Sequence, residues 1–120
     1  MIKGVGTDMV EIERIRKACE KASFRNRVYT EEERRQAGEN YSRLAGSFAV
    51  KEAVSKVFGT GFRTFLPIDI EVLRDEMGKP FVRLYGGAEE LAGSMKIARI
   101  EVSITNTKEY AMAFAVGEGE

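Results

Sequence analysis

The stretch from Ser42 to Phe58, SRLAGSFAVKEAVSKVF, followed by Gly59-Thr60-Gly61, decides the fold. It is rich in good helix formers and meets glycines at its end, so it predicts a long helix over 42–58 with a C-terminal stop. Leu44, Phe48, Ala49 and Val57 are expected to supply much of its packing face. The rest of the chain must pack around this helix.

Upstream, Thr30 followed by Glu33 is a capping-box signature that opens a second helix through Arg34 and Arg35. From Glu11 to about Arg25, Ile12, Ile15, Cys19 and Ala22 recur at helical spacing, which predicts one helix with Arg14, Lys17, Lys21 and Arg25 roughly opposite. Met1 to Val10 alternates as a strand does, with Ile2, Gly4, Gly6 and Asp8 on one face and Val5, Thr7 and Met9 on the other. The two glycines beside Asp8 leave its face open. Downstream, the pattern predicts strands over Ile68–Arg74 and Pro80–Tyr85 around a turn at Asp75–Lys79, a short helix over Gly86–Met95, and strands over Ala98–Thr105 and Glu109–Val116. Ile100, Val102 and Ile104 point inward on the first of these. The second sets Tyr110, Met112, Phe114 and Val116 against Ala111, Ala113 and Ala115, a smooth face suited to a helix or a neighbouring subunit. The class is α+β: a small single domain over 1–120, with a mainly antiparallel sheet packed by a long helix.

Composition narrows the chemistry. With 120 residues, 43% of hydrophobic types, the chain can bury one core. Lysine plus arginine and aspartate plus glutamate both number 19, so attraction for an anionic partner must come from local clustering. The lone Cys19 cannot pair within its chain, no signal-peptide pattern opens the sequence, and no apolar run approaches a membrane span. A cytoplasmic protein is expected. Histidine is absent, which removes the commonest general base and transition-metal ligand together. Carboxylates, lysine, hydroxyls or a hard cation must act instead, and carboxylate ligands favour magnesium, calcium or manganese over zinc.

Taken singly, the candidate residues have plain readings. Asp8, between a strand and a helix, reads as an N-cap, and Glu52 with Lys56 as an exposed ion pair one turn apart. Gly59 and Gly61 read as a helix stop, Gly78-Lys79-Pro80 as a hairpin turn, and the basic ridge as a solvated face. A nucleic-acid reading of that ridge lacks an aromatic stacking motif or a helix-turn-helix pattern beside it.

Read together, the blocks GTDMVEIERI, LAGSFAVKEAVSKVFGTG, DIEVLRDEMGKPFVRL and IEVSITNTKEYAMAFAV resemble the holo-acyl-carrier-protein synthase family over nearly the entire chain. These enzymes are short phosphopantetheinyl transferases. The resemblance implies that Asp8 and Glu52 bind magnesium, with manganese as an alternative, and that Lys56 contacts the pyrophosphate of coenzyme A. It implies transfer of 4′-phosphopantetheine to a serine of an apo-acyl carrier protein, with release of 3′,5′-ADP. Gly59 and Gly61 become a loop that coenzyme A approaches, and Gly78, Lys79 and Pro80 a turn bordering the nucleotide. A homotrimer with sites between subunits is also implied, with an acidic carrier protein docked on Arg14, Lys17, Lys21 and Arg25.

Two positions depart from the family pattern. Asn106 stands where many members have histidine holding the 3′-phosphate, and Ser47 where many have arginine. Asn106 can donate a hydrogen bond but carries no charge. Thr105, Thr107 and Lys108 are local substitutes. The alternative function is a non-catalytic coenzyme A or carrier-protein binding module of the same fold.

Overall fold

Along residues 1–120, which the computed structural model describes, the chain runs β1 (Ile2–Glu11), α1 (Ile12–Ala18), α2 (Ala22–Val28), α3 (Glu31–Ala37) and α4 (Tyr41–Phe58). A 3₁₀ turn (Pro67–Asp69) leads into β2 (Ile70–Arg74), β3 (Pro80–Leu84), α5 (Gly86–Ser94), β4 (Ile97–Asn106) and β5 (Tyr110–Gly119). Two antiparallel sheets result. One has the order β1-β5-β4 and the other is the β2-β3 hairpin.

The long helix lies directly on the first sheet. A Cβ at Gly4 or Gly6 would overlap the carbonyl oxygen of Val57 or Ala53, so these glycines let the α4 backbone reach β1. The face that looked open in the sequence is filled by α4. On the neighbouring strand Ala111, Ala113 and Ala115 are buried, and Ala113 and Ala115 belong to the same apolar cluster as Ala49, Ala53 and Val57 of α4. Small side chains on both elements allow that close seating. Of the two coverings expected for the alanine face, the helix is the one found. The bulky face of β5 points away, leaving Tyr110, Met112 and Phe114 exposed beside Val5 and Met9 of β1.

Four sequence expectations need correction. The helix from Glu11 to Arg25 is two helices, because the N–H groups of Glu20 and Lys21 close tight turns onto Lys17 and Ala18 and Lys21 is extended. The break lets Ile15, Cys19, Val28 and Tyr29 pack together around Leu44 and Ala45. Arg14, Lys17, Lys21 and Arg25 therefore do not form one helical stripe. The strand expected from Ile68 begins at Ile70, since Pro67 starts a 3₁₀ turn in which Asp69 accepts from the Leu66 N–H. Finally, α4 has no single packing face. Burial reaches Leu44, Ser47, Val50, Lys51, Val54 and Phe58 as well as the sheet side, because α1, α3, the 3₁₀ turn and β2 pack on α4 away from the first sheet.

The ends of α4 follow ordinary capping rules. Asn40 Oδ1 accepts the Arg43 N–H at the start, and Gly59, at φ 77°, ends the helix with its N–H on Ser55 and Lys56. No helix is long and apolar enough to cross a membrane.

Candidate functional site

Asp8 and Glu52 meet where α4 crosses β1. Both line a cavity of about 360 Å³ whose remaining wall includes Arg14, Val10, Phe24 and Phe48. One turn beyond Glu52, Lys56 Nζ donates to the Thr7 carbonyl at 2.8 Å and lies 3.8 Å from Asp8 Oδ1. The Lys56 side chain is 56% exposed and that of Asp8 is 20% exposed, so the ammonium borders solvent above a more sheltered carboxylate.

Electrostatics at the pair is unfavourable without a further cation. Burial raises the Asp8 pKa, and the charge of Lys56 only partly offsets it. Burial also raises Glu52, and the negative charge of Asp8 raises it further. Two sheltered carboxylates that disfavour each other's ionised form suit a divalent cation. No cluster of three or more histidine, cysteine or acidic side chains occurs in the chain, so this pair would leave most of a cation's shell to other oxygens. Magnesium is bound in that manner, by one or two carboxylates plus waters and phosphate oxygens.

The other predicted site residues lie in three places. Gly59 and Gly61 follow α4 immediately beyond Lys56. Gly78, Lys79 and Pro80 lie at the β2-β3 hairpin, where Asp75 Oδ1 accepts the N–H groups of Met77 and Lys79. Thr105, Asn106 and Thr107 close β4. The Asn106 amide nitrogen donates to Ser42 at both its hydroxyl (2.8 Å) and its carbonyl (3.1 Å), and the Thr107 hydroxyl accepts the Tyr110 N–H. Ser42 begins α4, about 15 Å along the axis from Glu52 at about 1.5 Å per residue. Within one chain, then, the structure joins Asp8, Glu52 and Lys56 but does not bring Asn106 to them.

The basic residues divide too. Arg14 lines the Asp8–Glu52 cavity, whereas Lys17 and Lys21 border a separate open depression with Phe24 and Arg27. Arg25 folds back to donate to the Cys19 carbonyl and serves the turn between α1 and α2.

Residues 4–115 match the family model of the 4′-phosphopantetheinyl transferase superfamily. The chain belongs to this superfamily. Its relatives include the holo-[acyl-carrier-protein] synthase of Lachnoclostridium phytofermentans, 55% identical over 98% of this chain and 97% of that one. Among solved structures, the synthase of Neisseria meningitidis has a TM-score of 0.88 at 33% identity, covering 98% of this chain and 99% of the other. The Helicobacter pylori synthase in complex with coenzyme A has a TM-score of 0.86 at 28% identity, covering 95% and 99%.

Sequence reasoning passed over a buried charge next in the chain to Glu52, directed instead into the interior between α3 and the 3₁₀ turn. Lys51 Nζ bonds to Glu33 and to the carbonyls of Pro67 and Ile70, while Glu33 also accepts the N–H groups of Thr30 and Val72. Glu71 extends the network through Thr30 and Tyr85. A lysine in the apolar run FAVKEAV was the available signal. Its partner was not visible, because Glu33 was already explained as a capping residue.

Proposed function

We propose that the chain transfers 4′-phosphopantetheine from coenzyme A to a serine hydroxyl of an apo-acyl carrier protein. The serine oxygen forms a bond to the β-phosphorus and gives up its proton, finally to solvent, the bond from the β-phosphorus to the bridging oxygen of the adenosine-side phosphate breaks, and 3′,5′-ADP leaves. The observation that carries this reading is the convergence of Asp8, Glu52 and Lys56 where α4 crosses β1, in a chain of this family.

Asp8 and Glu52 would hold magnesium, or manganese in its place, which supplies positive charge against the pyrophosphate oxygens. Lys56 is fixed by the Thr7 carbonyl and presents its ammonium beside the same position, where charge builds on the leaving phosphate. Gly59 and Gly61 are exposed just past Lys56 and leave the loop open to a nucleotide. Arg14, with Phe24 and Phe48 behind it, offers a cationic edge and an apolar floor to an acidic carrier protein, and Lys17 and Lys21 extend the positive surface.

The assembly is a homotrimer in this reading. Val5, Met9, Met112 and Phe114 form an exposed apolar sheet face of the kind that a partner subunit covers. Packing there offers a way for Gly78–Pro80 and Thr105–Thr107 of one subunit to approach Asp8, Glu52 and Lys56 of the next. Relatives crystallised with coenzyme A support the substrate, including the Bacillus anthracis synthase in complex with CoA (3′,5′-ADP), at 35% identity.

The test is to incubate the protein with coenzyme A, magnesium and apo-acyl carrier protein and to follow both products. Transfer adds about 340 Da to the carrier, the mass of one phosphopantetheine group, and releases an equal amount of 3′,5′-ADP. A binding module would give neither product.

A further inference from the structure

A second cavity, of about 300 Å³, lies among α1, α2, α3 and the start of α4. Cys19 follows α1, Arg25 lies on α2 with Tyr29 just beyond it, and Arg34 lies on α3. Glu39 stands in the next turn, and Tyr41 and Leu44 in the first turn of α4. None of these residues lines the Asp8–Glu52 cavity, and none belongs to the exposed sheet face of Val5, Met9, Met112 and Phe114. The function proposed above makes no use of this space.

Two guanidinium groups from different helices line it without an acidic partner. None of the chain's ion pairs involves Arg25, Arg34 or Glu39. Each arginine is held through a single Nη1, which donates to the Cys19 carbonyl from Arg25 and to Asn26 Oδ1, 3.0 Å away, from Arg34. A guanidinium has five N–H donors, so most remain unspent on both. Tyr41 opens the 18-residue α4, whose first N–H groups carry partial positive charge at that end. Burial raises the pKa of the Cys19 thiol and the charges of Arg25 and Arg34 both oppose the rise, as expected for cations sharing one wall with it.

The remainder of the wall selects the kind of anion. Cys19, Tyr29 and Leu44 belong to one buried apolar cluster, and the Tyr29 hydroxyl is spent on the Leu44 carbonyl. Glu39, at the exposed side, disfavours a second negative charge. Guanidinium forks beside an apolar wall suit a planar carboxylate on a short hydrocarbon body. A phosphate dianion would meet Glu39 and leave the apolar wall unused.

We propose that this cavity binds a small organic monocarboxylate, with its oxygens on Arg25 and Arg34 and its hydrocarbon part against Cys19, Tyr29 and Leu44. The inference does not depend on the proposed transfer reaction.

Amide NMR titration of the full chain reads the two cavities separately. Sodium butyrate should shift the signals of Cys19, Glu39 and Tyr41 saturably while those of Asp8 and Glu52 stay in place, and sodium chloride at equal ionic strength should not. Acetate should bind several-fold more weakly than butyrate, because it lacks the methylene groups that the wall covers. Arg25→Gln and Arg34→Gln should each weaken butyrate by about fivefold or more, as loss of a charge-assisted hydrogen bond allows. If Arg25→Gln loosens the turn between α1 and α2, Arg34→Gln, at an exposed position, decides the matter alone. No saturable shift with butyrate, or an affinity unchanged in Arg34→Gln, overturns the site. Acetate binding as tightly as butyrate, or inorganic phosphate binding there more tightly, overturns the assignment of a carboxylate with an apolar body.

Discussion

Asp8 and Glu52 are worth most to the protein when a cation lies between them. Both pKa values are raised above their ordinary 3.8 and 4.5, chiefly by burial and, at Glu52, also by the charge of Asp8. Raised values in the folded state mean that the metal-free protein keeps full stability only below the ordinary carboxylate pKa and loses some as pH rises through the folded values. Magnesium should reverse that loss and compete with protons for the same oxygens. The increase in Tm on adding magnesium should therefore be larger at pH 7 than near pH 5, as scanning calorimetry can check. An equal increase at both pH values would detach the metal from these carboxylates. At this scale the proximity of Glu52 and Lys56 was legible, because the pitch of one helix fixes their spacing, whereas the place of Asp8 beside them was implied only by the family resemblance. The sequence did not reveal that Asn106 turns its donors onto Ser42, which depends on where two distant segments meet.

Among the elements, α4 is the one on which the others depend, and its surroundings explain both what was legible and what was not. Its length, glycine stop and neighbouring strands follow from local pattern. Its all-round burial does not, because polar Ser47, Lys51 and Ser55 sit on sides that local pattern assigns to solvent. Lys51 is tolerated because Glu33 of α3 and two carbonyls satisfy it in the interior. Lys51→Ala leaves the Glu33 carboxylate buried without its charge partner and should cost about 3–5 kcal/mol, the usual penalty for breaking a buried pair. Lys51→Met with Glu33→Gln should be milder, as neither charge is then stranded. Urea unfolding measures both, and a single variant as stable as the wild type would contradict the pairing. The break between α1 and α2 was illegible for a related reason. Apolar residues at helical spacing fit one straight helix as well as two short ones, and packing around Leu44 selects the second.

For the whole molecule, the exposed apolar face of β1 and β5 and the separation of Asn106 from the Asp8–Glu52 pair both motivate the proposed trimer. Phe114 is 45% exposed and Met112 46% exposed on a sheet whose opposite face is already filled by α4. Phe114→Asp places a charge on this face and, if the proposed trimer packs through it, should reduce the mass in light scattering from three copies of 13.4 kDa to one, with at least tenfold loss of transfer. A variant that remains active as a monomer would place the whole site within one chain. The central claim is that Asp8 and Glu52 together support phosphopantetheine transfer, and intact-mass analysis of the carrier protein over time tests it most directly. With coenzyme A and limiting magnesium, the wild type should convert apo carrier fully, whereas Asp8→Asn and Glu52→Gln should leave it at least a hundredfold slower while remaining folded, as expected when a metal ligand is lost. Near-normal conversion by either folded variant at low magnesium would contradict the account.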